Sequence, residues 1–492
     1  MFKDHQGVTL VGLHYSVNKV VRDVAPGDVN VDIRTKTGGK WVYEDSTTEV
    51  KPGDTVHYWY LVVIEGQGGH NDLNLQWTVP VSTTPSPSTS TSTHSSSTTT
   101  PGSSGSTTSS THHSTKSTTT TTNKPGPGPT SPPQPHPTGC TTYPCVIFED
   151  DFDTLDFSKW QHEITMGGGG NWEFEYYTNN RSNTYVRNGI LFIKPTLTSD
   201  KFSEQFLSNG VMDIWGGGPA DLCTSNAFWG CERQGTGSHY INPIQSGRLR
   251  TVNSFNFKYG KVEVEAKMPT GDWIWPAIWM LPRYQNYGEW PASGEIDIVE
   301  SRGNADLKDE KGEPQGVNTF ASTLHWGPFY GADPFEKTHG GAVAKSGTFG
   351  TAFHNYTMEW DEAGIRTFLD GDKILDVAPD EGGFWKLGDF SNTIPGSDNP
   401  WKGAPNPRMA PFDQEFYLLM NVAVGGTNGF FQDNWVNNGP AKPWKNASPT
   451  APRDFWLAKN SWYPTWTPTE NNGENAALQV KSVRVWKLKP DP

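Results

Sequence analysis

The stretch SGEIDIVESRGN, Ser293 to Asn304, places Glu295, Asp297 and Glu300 within six residues. Neighbouring acids can divide a reaction between them, one supplying a proton while another stays ionised and attacks. The apolar residues Ile296, Ile298 and Val299 predict a strand. Alternation then puts Glu295 and Asp297 on one face and Glu300 on the other. One β-bulge between Asp297 and Glu300 would supply the extra residue that returns all three acids to the same side. Three negative charges this close cannot all persist, so at least one acid must have a raised pKa and keep its proton. Retaining glycoside hydrolysis needs such a set, with two carboxyls about 5 to 5.5 Å apart acting as nucleophile and acid/base. The plain alternative is that these acids lie on the wet face of an edge strand and deter aggregation.

The surroundings favour the chemical reading. Upstream, GDWIWPAIWMLP supplies Trp273, Trp275 and Trp279. The first two share a face at period two, and the third joins them if the chain stays extended through Pro276. Aromatics make up 12 % of the chain, with 21 Trp, more than a core needs. Flat apolar rings with a polar edge suit sugars, whose faces are apolar and whose rims carry hydroxyls.

The elements that must position these residues follow from the rest of the chain. Its 492 residues allow two or three domains. A net charge of −14, with both signs interspersed, argues against nucleic acid and against an anionic membrane surface as partners. No run of about 18 apolar residues suggests a spanning helix. Residues 82–138, rich in Ser, Thr and Pro, cannot bury a core and read as a disordered or extended linker. Residues 1–81 read as a small immunoglobulin-like β-sandwich, with runs such as GVTLVGLHYSV, KWVYED and DTVHYWYLVVI, and no catalytic set. Residues 139–492 contain many short strands broken by Gly, Pro and Asn, which predicts a β-jelly roll. The fold class is all-β.

Four cysteines allow three pairings. CTSNAFWGC is a short loop, so Cys223–Cys231 is the expected bridge and Cys140–Cys145 the remainder. There is no CxxC and no Cys/His cluster, so no zinc site is expected, and no metal ligand or cofactor is assigned. A jelly-roll surface can hold a calcium ion, but no EF-hand-like loop names its ligands. Sequons at Asn180, Asn355 and Asn446, the last weakened by Pro449, fit a secreted, extracellular glycoprotein. MFKDHQGV lacks the apolar run of a signal peptide.

WPASGEIDIVE, with WPAIWMLP upstream, resembles the signature of glycoside hydrolase family 16 in its laminarinase-like branch. FEDDFDTLDFSKWQHEITMGGGGNWEFEYYTNN and NPIQSGRLRTVNSFNFKYGKVEVEAKMP are similar to invertebrate β-1,3-glucanases and β-1,3-glucan recognition proteins. The amino-terminal stretches LHYSVN, DIRTKTGGKWVYED and KPGDTVHYWYLVV resemble carbohydrate-binding module family 39, although the module begins late, at Gly7.

The resemblance implies Glu295 as nucleophile, Asp297 as the aspartate tuning the pair, and Glu300 as acid/base. It implies a cleft lined by Asn171, Tyr176, His325 and Trp326, with Trp275 and Trp279 as its floor. Trp273 is added as a binding residue on strand spacing alone. Asp32, Trp41 and Trp59 are the expected glucan contacts of the amino-terminal module. The expected partner is β-1,3-glucan, cleaved by a secreted endo-β-1,3-glucanase with retention. The alternative is a non-catalytic recognition protein of innate immunity that only binds glucan. The oligomeric state stays open.

Overall fold

The computed structural model of the chain describes residues 8–21, 28–33, 40–43, 45, 48–64, 68–79, 140–216 and 223–490. The expected linker, 82–138, lies outside them. In the amino-terminal part, Val8–Val17, Val29–Ile33, Thr55–Ile64 and Gly68–Thr78 form a four-stranded antiparallel sheet. KWVYED, read as a strand, makes only an isolated bridge at Lys40 among its described residues.

Residues 140–490 build two large antiparallel sheets around one hydrophobic core, the expected jelly-roll plan. One sheet carries the acids. Its seven strands run in the spatial order His339–Val343, Thr319–His325, Glu295–Ser301, Ile274–Pro282, Phe416–Val424, Arg248–Arg250 and Gln161–His162. The other sheet holds eight, including Gly260–Lys267, His354–Asp361 and Leu478–Lys487. In Gly260–Lys267 burial alternates residue by residue, with Val262 and Val264 inside and Glu263 and Glu265 outside. Phe416–Val424 is buried along its whole length. Much of the Trp excess serves this core: Trp160, Trp360, Trp401, Trp444, Trp462 and Trp466 are fully buried.

The bulge expected from the acid spacing is present. Asp297 pairs with Thr323 and Glu300 with Ala321, so Ile298 and Val299 together oppose the single residue Ser322. On the other side Ile278 pairs with Val299 and Trp279 with Asp297, which leaves Ile298 over. A bulge takes a residue out of the ladder, and a buried carbonyl without a partner is destabilising. The Ser322 hydroxyl supplies the bond, donating to the Ile298 carbonyl at 2.6 Å. Ser322→Ala is therefore expected to destabilise the chain by about 1–3 kcal/mol, as for a buried acceptor left unpaired, measured by denaturant unfolding.

Candidate active site

Gly294 turns the chain into the acid strand at φ +85°, where a Cβ would meet Phe412 at 2.9 Å. Beyond it, the three acids meet one imidazole and two indoles. Glu295 lies across from His325, and its Oε2 accepts a hydrogen bond from Trp290 Nε1 at 2.8 Å. Asp297 Oδ2 lies 3.3 Å from His325 Nε2. Glu300 Oε1 accepts from Trp275 Nε1 at 2.8 Å.

His325 is itself held. Its Nδ1 lies 2.6 Å from Asp333 Oδ2, and Asp333 Oδ1 accepts from the Trp326 backbone N–H. Burial alone would lower the imidazole pKa, but Asp333, Asp297 and Glu295 overcome it and hold His325 up at about 10. His325 is thus a cation at neutral pH, facing the acid cluster. Burial raises all three acids. Asp297 is raised most, well above the ordinary carboxylate range, by burial and then by the charges of Glu295 and Glu300. His325 pulls Glu295 and Glu300 back down, helped by Trp290 at the first and by Trp275 and Arg302 at the second.

A stack of flat groups supports the Glu300 end. The Trp275 ring lies 3.8 Å from Phe430 and nearly parallel to it, and the Arg302 guanidinium covers Phe430 at the same distance. Arg302 also donates to the Phe430 carbonyl at 2.9 Å. The polar loop after the acid strand braces this region, since Leu307–Lys308 pairs with Val436–Asn437. Trp279 is half-buried, and its Nε1 donates to Asn421 Oδ1 at 2.7 Å. Asn421 in turn donates to Tyr177, and Tyr177 to Glu173. Asn171 donates to Glu173 as well, and its carbonyl accepts from Thr427. Beside Asn171, Trp172 is exposed and lies near Phe228 and Trp229. The last two sit on the loop closed by the Cys223–Cys231 bridge.

Trp275, Trp279, His325 and Asn171 thus come to the acids or to the side chains around them. Three expected cleft residues lie in the core instead. Trp273 precedes its strand at φ +68°, so strand periodicity does not govern it; it is 1 % exposed against Phe431 and Trp444. Trp326 is fully buried and donates to Thr338, and the Tyr176 hydroxyl donates to Gln245. In the amino-terminal sheet Trp59 is 1 % exposed, stacked on His14 at 3.9 Å. Trp41 is half-buried, and the side chain of Asp32 lies outside the described residues. Both disulfides have the expected pairing, Cys140–Cys145 and Cys223–Cys231. Asn446 donates its amide nitrogen to the Phe431 carbonyl at 3.1 Å.

Sequence reasoning missed Trp290, Asp333, Phe430 and Glu173. Trp290 stood in the quoted motif, and Asp333 lies eight residues after His325. Both act because a loop returns to the sheet, which local pattern does not record.

A β-jelly roll with this acid cluster on one sheet defines the class as a glycoside hydrolase fold. Residues 230–388 match the family described as "Glycosyl hydrolases family 16", and residues 1–103 match CBM39, described as "Carbohydrate binding domain (family 32)". The chain is 52 % identical over 355 residues to "Beta-1,3-glucan-binding protein" of Penaeus monodon, covering 72 % of this chain and 93 % of the relative. It is 30 % identical over 514 residues to "Beta-1,3-glucan-binding protein 1" of Galleria mellonella, covering 98 % and 91 %. It is 33 % identical over 293 residues to "Glucan endo-1,3-beta-glucosidase A1" of Niallia circulans, covering 57 % and 34 %. Among solved structures, the laminarinase of Rhodothermus marinus matches at 25 % identity with a TM-score of 0.42, covering 71 % of this chain and 100 % of that one. The chain belongs to glycosyl hydrolase family 16, alongside the β-1,3-glucan-binding proteins, and carries an amino-terminal carbohydrate-binding module.

The raised pKa of Asp297 has a definite sign for stability. Between the unfolded value near 3.9 and the higher folded value, the folded state binds more protons, so stability falls as pH rises through that window. Asp297→Asn keeps the shape and removes the titration. Its unfolding temperature is expected to exceed that of the wild type by about 2–4 °C at neutral pH and to match it near pH 3, followed by thermal denaturation at both values.

Proposed function

We propose that the chain is a secreted endo-β-1,3-glucanase that hydrolyses laminarin-type glucan with retention. The observation that carries this reading is the bulge, which sets Glu295 and Glu300 on the same side of the sheet, each with its own indole donor. Glu300 gives its proton to the glycosidic oxygen while Glu295, kept ionised by the Trp290 N–H and the His325 cation, attacks the anomeric carbon. The glycosidic C–O bond breaks, the leaving sugar departs as its alcohol with the proton from Glu300, and a glycosyl ester on Glu295 results. Glu300, now a carboxylate, takes a proton from water, which attacks the same carbon and releases Glu295. Two inversions give net retention.

Asp297 keeps a proton and spares the site a third charge. Trp275, Trp279 and the exposed Trp172 are the sugar-stacking surfaces of this reading. We place the amino-terminal glucan-binding module in residues 1–81, the linker in 82–138 and the catalytic domain in 139–492. Extracellular residence is supported by two disulfides and no free cysteine among the described residues.

The second reading, a recognition protein that binds β-1,3-glucan without cutting it, is favoured by the names of the Penaeus and Galleria relatives. Reducing-sugar release from laminarin decides between them. The wild type is expected to produce a ladder of oligosaccharides, and Glu295→Gln and Glu300→Gln to fall by about three orders of magnitude or more while still binding insoluble curdlan. A wild type that binds curdlan and releases nothing makes the chain a recognition protein.

A further inference from the structure

We propose that Glu295, Asp297 and His325 also form a binding site for a divalent transition-metal cation of the zinc type, occupied in competition with substrate. The sequence offered no Cys/His cluster, so this site exists only through the fold. One ligating atom from each of the three residues lies within 4.8 Å of the other two. His325 Nε2 and Asp297 Oδ2 are 3.3 Å apart. Bonds of about 2.0–2.1 Å to a tetrahedral ion separate its ligands by about 3.4 Å, so this pair already has the spacing of one tetrahedral edge.

Three further features suit a cation. The His325 Nδ1 is engaged by Asp333 at 2.6 Å, which aims Nε2 at the acids; a carboxylate behind the imidazole is the usual support of a zinc-bound histidine. Asp297 is 3 % exposed, and its Oδ2 accepts no hydrogen bond among the described residues. The Trp290 N–H holds one Glu295 oxygen and leaves the carboxylate oriented toward its neighbours. A dication also suits the row of acids that the bulge gathers on one side of the sheet. On binding, His325 releases its Nε2 proton and Asp297 its carboxyl proton to solvent. Glu295 and His325 are half-buried, so the ion has a route from water.

Competition with substrate rests on the proposed glucanase reading, whereas metal binding does not. Calorimetric titration of the full chain with zinc chloride tests the binding directly. The wild type is expected to show one saturable site, weakened about 100-fold by Asp297→Asn or His325→Gln and about tenfold by Asp333→Asn. His112 and His113, adjacent in the sequence, are the obvious competing ligands, so the paired variant His112→Ala/His113→Ala is expected to retain the site. Circular dichroism checks that each variant is folded. No saturable zinc binding at millimolar concentration, or equal affinity in wild type and both ligand variants, overturns the proposal. Laminarin hydrolysis run in parallel separates the two readings. Zinc bound without hydrolysis removes the glucanase and keeps the metal site; hydrolysis without zinc binding does the reverse.

Discussion

Ile298 is one residue too many for its strand, and the chemistry of the site depends on keeping it there. Strand geometry alternates side chains strictly, so without the surplus residue Glu300 would point into the core between the sheets. The chain holds the bulge by giving Ile298 a buried apolar side chain and giving its carbonyl a hydroxyl donor from Ser322 on the next strand. The two glutamates are then fixed from either end of the row by indole N–H groups, Trp290 at one end and Trp275 at the other.

That arrangement carries a standing electrostatic penalty. Three carboxyls, a histidine and an arginine are withdrawn from much of the solvent, and the charges do not cancel. The site resolves this through protonation. Asp297, most deeply raised, keeps its proton, and His325, fixed by Asp333, carries a positive charge against the remaining acids. Burial and like charge push the carboxyls up, and the imidazolium pulls Glu295 and Glu300 part of the way back. Strain of this kind is common where groups are poised for reaction instead of for stability. The same field that holds a proton on His325 favours any compact cation that can reach the acids.

Support from outside the sheet is aromatic. Phe430 and Arg302 form a stack behind Trp275, so the donor that positions Glu300 is itself fixed by packing from the loop between Val424 and Val436. On the other flank, Asn421, Tyr177 and Glu173 link Trp279 to Asn171 by consecutive hydrogen bonds. The bonds from Trp279 to Asn421 and from Asn421 to Tyr177, and the contacts of Phe430 with Trp275 and Arg302, join residues more than a hundred positions apart, and none of these has a local signature.

The sequence by itself determined the all-β class and the bulge, because each follows from a short-range rule, alternation of side chains and the parity of three acids. Closure of a small loop made Cys223–Cys231 the expected bridge and left Cys140–Cys145 as the remainder, and the tertiary structure decided among the three pairings. It also picked out Trp275, Trp279 and His325, whose positions follow from strand phase or from the motif. It failed at Trp273 and Trp326, where a left-handed backbone angle and a packed cluster of rings decide which way an indole turns. Only the tertiary structure decided that Trp290, Asp333 and Phe430 reach the acids or their supports. The reason is physical: their contacts are made when loops fold back on the sheet, and that return is set by the sum of core packing, not by any neighbour in the chain.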